Sequence, residues 1–148
     1  MNRLTALLAG TWLGMQITAA YAAGILFERI GRQEAGDIAG LLFATANYFG
    51  LAVWLLAWFA AKSRRPHGFG RNERSIAPKF IAVLLLLLAA NQFLLAPVIA
   101  AHKAGTSNWL LSLAGGSFGI WHGTSSMIYL VCGLIGAGLL LRYLSFNR

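Results

Sequence analysis

Residues 80–101 read FIAVLLLLLAANQFLLAPVIAA, 22 residues without Asp, Glu, Lys or Arg. About 20 predominantly apolar residues in a helix cross the hydrocarbon core of a bilayer. Working outward, three further uncharged stretches of 24 residues occur at 4–27, 38–61 and 118–141, the last inside a longer run from Ala104 to Leu141. Together the four account for 94 of 148 residues, which leaves no room for a soluble domain. The expected fold is all-α: a polytopic membrane protein whose single domain, residues 1–148, is a four-transmembrane-helix bundle. Composition agrees, with 58% hydrophobic and 11% charged residues against roughly 25% charged in soluble domains.

Several functional classes fall away. A net charge of +8 in a soluble protein would suggest nucleic acid, but here the basic residues flank apolar spans, so no nucleic-acid partner is expected. Cys132 is the single cysteine, so neither a disulfide framework nor a CxxC site exists. No Asp or Glu falls inside a span, which argues against a proton path of buried carboxylates. A phosphate-binding GxxxxGK loop, GxGxxG and HExxH are all missing. No catalytic residue is assigned, and the cofactor is left unknown.

Charge sets the expected orientation. The connector at 62–79 carries Lys62, Arg64, Arg65, Arg71, Arg74 and Lys79 against Glu73. Lys and Arg accumulate on the cytoplasmic side, so this connector lies inside, against anionic lipid headgroups. With four spans both termini are then cytoplasmic, and nine of the 12 basic residues lie inside. Arg29, Arg32 and Lys103 lie outside, and the expected location is the inner membrane of a bacterium. The first span also contains Ala20-Tyr21-Ala22, which has the form of a leader cleavage site. Its apolar stretch runs on through Phe27, however, so it reads as a span.

Packing signals punctuate the spans. Gly10, Gly14, Thr18 and Ala22 recur at spacing four, as do Gly115, Gly119 and Gly123. Such ridges let helix backbones approach closely in lipid, within one bundle or across a homodimer or a membrane-complex interface. Pro97 predicts a kink near Leu94–Pro97. Gly115-Gly116-Ser117 breaks the long uncharged run and leaves 107–113 as a short interfacial segment, while Asp37 is placed to cap the second span.

Polar residues are not spread evenly. Gln16 and Thr18, Thr45 and Asn47, Asn91 and Gln92, and then His122, Thr124, Ser125 and Ser126 lie at mid-depth or in the outer half of successive spans. The inner halves are almost wholly apolar. Polar groups in hydrocarbon turn toward partners, so His122, Ser125, Asn91, Gln92 and Asn47 are expected to converge on one outer-facing cluster. His122, His102 and Glu28 are the candidate metal donors, since imidazole and carboxylate suit divalent transition metals. Interhelical hydrogen bonding alone is the competing role for the Asn, Gln, Ser and Thr side chains.

Three pieces of sequence carry a resemblance. They are Trp12-Leu13-Gly14 with Leu26-Phe27, Ala35-Gly36-Asp37-Ile38-Ala39-Gly40 and Phe43; Asn91 followed by Pro97 and Ile99; and Phe118-x-x-x-His122-Gly123-x-Ser125. Over nearly its whole length the chain resembles the transmembrane-protein-205-like family, domain of unknown function 4149. The resemblance implies a four-helix inner-membrane protein without an established activity. A looser similarity extends to copper-resistance and haem-biosynthesis membrane proteins, although the first span here contains no His.

Three functions compete on these grounds. The leading one is binding or permeation of a small solute or metal through the outer-facing polar cluster. The alternatives are a haem- or metal-dependent membrane oxidoreductase using His122, and a structural or accessory subunit of a membrane complex.

Overall fold

The computed structural model describes residues 3–62 and 77–145. They form α1 (Arg3–Arg29), α2 (Arg32–Lys62), α3 (Ala77–Ala90), a π-helical turn (Asn91–Leu95), α4 (Ala96–Ala104), α5 (Trp109–Ala114) and α6 (Phe118–Ser145). The described residues are all helix and short connection. Most of the basic connector, including Arg64, Arg65, His67, Arg71, Glu73 and Arg74, lies outside them.

Three described helices are long and apolar enough to cross a membrane: α2, the continuous helix Pro78–Ala104, and α6. The sequence led us to expect four. The 27 residues of α1 supply ample length, about 40 Å at ~1.5 Å per residue. Its apolarity is diluted by Thr5, Thr11, Gln16, Thr18 and Tyr21.

Only Ile30 and Gly31 separate α1 from α2. The turn is held by Ile30 N–H to the Leu26 carbonyl at 3.0 Å and Ala35 N–H to the Gly31 carbonyl at 2.9 Å. Because α2 begins at Arg32, Asp37 lies in its second turn and does not cap it. Its carboxylate instead accepts from Lys103 Nζ on α4 at 3.2 Å.

The disturbance expected before Pro97 is a π turn. Ala96 N–H donates to the Asn91 carbonyl five residues back rather than four. Proline lacks an N–H, and its ring crowds the carbonyl four residues earlier in a regular helix; the widened turn immediately before it relieves that conflict. The break at 115–117 falls where expected. Gly115 and Gly116 have φ of 62° and 97°, a region open to glycine. The interfacial segment becomes α5, whose first turn is capped by Asn108 Oδ1 accepting from Leu110 N–H at 2.9 Å.

Lipid gives helices no hydrophobic reason to associate, so close packing must hold them together. α1 packs on α2 and α6, α2 on α3, and the π turn, α3 and α4 on α6. Trp12 and Trp54 fill the centre, both fully buried, with ring centroids 5.5 Å apart at 88°. Trp12 Nε1–H donates to the Ala46 carbonyl at 3.1 Å. Gly50 on α2 and Gly136 on α6 lie directly against the Trp12 indole, where a Cβ would collide with it.

These are not the glycines singled out by spacing. The buried face of α1 is Thr5, Ala9, Trp12, Gln16, Ala19 and Ala23. Gly14 and Thr18 are exposed, and a Cβ on Gly14 would meet nothing within 4 Å. Gly123 is equally open and Gly119 faces only Ser117. Trp12 chose the seam: one large ring needs small partners opposite it, whereas a ridge of small residues needs no neighbour at all.

Candidate functional site

The π turn puts two adjacent amides into the bundle. Asn91 and Gln92 are both buried, and each reaches a different helix. Ser125 on α6 donates its hydroxyl to Asn91 Oδ1 at 2.7 Å. Asn47 on α2 donates through Nδ2 to Gln92 Oε1 at 3.2 Å. Four of the five expected cluster residues are therefore joined in two pairs across three helices. The protein shields them well: Asn47 is 3%, Asn91 5% and Gln92 9% exposed, with Ser125 half-buried.

His122 does not join them. It is exposed, and its ring stacks on Phe118 of the same helix, with centroids 5.6 Å apart and planes within 7°. Ser125 and His122 are neighbours along α6, yet one step of three residues rotates the side chain enough to separate a bundle-facing position from an outward one. The His102 ring also meets Phe118 in a T-shaped contact, with centroids 6.4 Å apart. His102 Nε2 is buried and has no hydrogen-bond partner.

The proposed metal donors are not gathered. Glu28 is exposed near the end of α1. Among the described residues no three His, Cys, Asp or Glu side chains come together to hold a metal ion.

Gln16 belongs to the same polar layer, although the cluster drawn from the sequence omitted it. It is 3% exposed, its backbone carbonyl accepts from the Tyr129 hydroxyl at 3.2 Å, and its Oε1 sits over Gly133. Its mid-span depth was a usable signal; the absence of Cβ at Gly133, which admits its side chain, was not legible. Three amide and indole atoms in the interior have no partner: Gln16 Nε2, Asn47 Oδ1 and Trp54 Nε1. Each such group costs about 1–3 kcal/mol when buried alone.

Two shallow grooves flank this layer. One of about 270 Å³ runs between α1 and α2 along Met15, Thr18, Ala22, Leu42 and Thr45. The other, of about 290 Å³, runs between α1 and α6 along Leu13, Ile17, Leu130 and Leu134, with Gln16 and Tyr129 in its wall. Neither is lined by Asn47, Asn91, Gln92 or Ser125. Chemically, the layer is a set of neutral amides and hydroxyls, four of which pair with one another.

No curated protein and no solved structure matches the chain. A family model does match, over residues 7–107, a stretch that includes Gln16, Asn47, Asn91, Gln92 and His102 but ends before α5 and α6. By that match the chain belongs to the family described as domain of unknown function DUF4149.

Proposed function

We propose that this protein is a four-span inner-membrane protein with cytoplasmic termini that serves as an accessory subunit, working through its packing surfaces. The observation that carries this reading is the pairing within the polar layer: Asn47 with Gln92 and Asn91 with Ser125 are hydrogen-bonded to each other, and none of the four lines either groove. Such bonds act as interhelical glue. A fourth span is supported by α1 itself. It returns along α2 after a two-residue turn, so a membrane that holds α2 holds α1 beside it. Orientation rests on the excess of Lys and Arg at one end.

The opening turns of α6 support a protein partner. His122, Thr124 and Ser126 are exposed there. The two hydroxyls bond back to carbonyls of their own helix, Thr124 to Ile120 at 2.8 Å and Ser126 to His122 at 2.9 Å. The imidazole has no such local recourse, and polar groups in a span face protein or water rather than lipid.

Binding of a small solute or metal is the second reading, favoured by the unpartnered His102 Nε2 beside the Phe118–His122 stack. A haem- or metal-dependent oxidoreductase would use the same two imidazoles. Thiol labelling separates these readings from ours. In a Cys132→Ser background, cysteines at Asn47, Asn91 and Gln92 should resist a water-soluble thiol reagent from both sides of the membrane. A photo-crosslinker at Ile120 should give one discrete protein adduct. Rapid labelling of the three cysteines from the outside, with lipid adducts alone at Ile120, would overturn the accessory reading in favour of solute binding.

A further inference from the structure

Gln16 Nε2 and Asn47 Oδ1 are an unpaired donor and an unpaired acceptor, each on a residue only 3% exposed. They stand on adjacent packed helices, α1 and α2. Trp12, one turn before Gln16 on the same buried face, donates to the carbonyl of Ala46, the residue next to Asn47. From α6, Tyr129 touches both sides. Its hydroxyl donates to the Gln16 carbonyl, and its ring lies 4.8 Å from Phe43, one turn before Asn47.

We propose that one buried water molecule bridges Gln16 Nε2 and Asn47 Oδ1 and so extends the polar layer to α1. This site is independent of the accessory reading and adds a ligand to a place where only side-chain pairs are otherwise assigned. The chemistry selects water among small ligands. A cation attracted to Asn47 Oδ1 would face the N–H of Gln16, and an anion would meet the reverse conflict. Neither would find a compensating charge, since the described spans contain no acid near these amides. Water donates and accepts equally, so it also satisfies either amide if its oxygen and nitrogen are exchanged. Buried waters usually serve such otherwise unsatisfied groups and need two to four polar partners. With the bridge in place, hydrogen bonds run from α1 through Asn47 to Gln92 on the π turn, while the adjacent Asn91 is bonded separately to Ser125 on α6.

The test combines a structure with an energetic cycle on the full chain in lipid nanodiscs and in detergent. A structure resolving ordered water should show one peak within hydrogen-bond distance of both amides. Gln16 Nε2 donating directly to Asn47 or to a backbone carbonyl, with no peak between them, overturns the proposal. In unfolding equilibria, Gln16→Met and Asn47→Leu should be coupled. The double variant should retain a folded-to-unfolded ratio at least about threefold above the product expected from the single changes. Additivity within experimental error overturns the shared ligand. If either variant fails to fold, the wild-type density decides alone.

Discussion

Ser125 Oγ donates to Asn91 Oδ1 at 2.7 Å, joining α6 to the π turn across 34 residues of sequence. The widened turn makes this possible while the adjacent Gln92 bonds to α2 instead. Removing one partner and removing both should therefore differ. Ser125→Ala strands the Asn91 carbonyl oxygen and is expected to destabilise the protein by about 0.5–1.5 kcal/mol. Adding Asn91→Leu removes the stranded group and should recover part of that loss. Equilibrium unfolding in mixed micelles measures both; a double variant worse than the sum of its parts would contradict the pairing.

The glycines give a sharper contrast. Gly50 and Gly136 abut the Trp12 indole, whereas a Cβ on Gly14 meets open space. Gly14→Leu should change stability by no more than about 0.5 kcal/mol, as at other uncontacted surface positions. Gly50→Leu or Gly136→Leu should cost about 3 kcal/mol or prevent folding, because the indole is locked among fully buried neighbours. Thermal melting of the three variants would decide it, and a Gly14→Leu protein that fails to fold would show that the seam has been misplaced.

That contrast also marks what the sequence can say. The apolar stretches, the break at Gly115–Ser117 and the disturbance before Pro97 depend on local composition and backbone chemistry, so they are legible residue by residue. Spacing of four identifies a helical face but not the neighbour it meets. Gly10 and Gly14 therefore stood out by spacing, whereas Gly50 and Gly136, which lie against Trp12, did not. Depth arithmetic likewise brought Asn47, Asn91, Gln92 and Ser125 to one layer, where they are paired. It also brought His122, whose outward rotation and stacking on Phe118 depend on how α6 is turned. Asp37 illustrates the same limit at a helix end: its fitness as a cap was real, but α2 had already begun.

The two central tryptophans differ in their indole nitrogens. Trp12 Nε1 has the Ala46 carbonyl, while Trp54 Nε1 is buried without a partner. Trp12→Phe removes a satisfied bond and leaves that carbonyl dependent on its helical bond alone. Trp54→Phe removes an unsatisfied donor, which offsets part of the packing lost. We expect Trp12→Phe to be the more destabilising by about 1 kcal/mol. Equal losses in a denaturation series would argue that the ring volumes alone matter.

The ion pair between Lys103 and Asp37 ties α4 to the start of α2 at 3.2 Å, but the Asp37 side chain is 64% exposed. Exposed pairs contribute about 0–1 kcal/mol and are screened by salt. Asp37→Asn is accordingly expected to lower the melting temperature only slightly at low ionic strength and not at all in molar salt. A large, salt-independent loss would mean that Asp37 makes a further contact in the membrane-bound protein.

Orientation is the remaining prediction, and it rests on charge. Arg29, Arg32 and Lys103 mark one end of the helices, where the α1–α2 turn and α5 also lie. Lys62, Lys79 and Arg142 mark the other, together with Arg3. Short loops rich in Lys and Arg stay in the cytoplasm, so the end with Arg3, Lys62, Lys79 and Arg142 is the one expected inside. In a Cys132→Ser background, a cysteine at Ser107 should react with an impermeant maleimide in intact spheroplasts. One at Arg71 should react only after the membrane is permeabilised. The opposite pattern would invert the protein and place Asn108 and α5 inside the cell. Labelling of both sites in intact spheroplasts would instead mean that the number of crossings between them is even, which removes the span at 78–104 from the membrane.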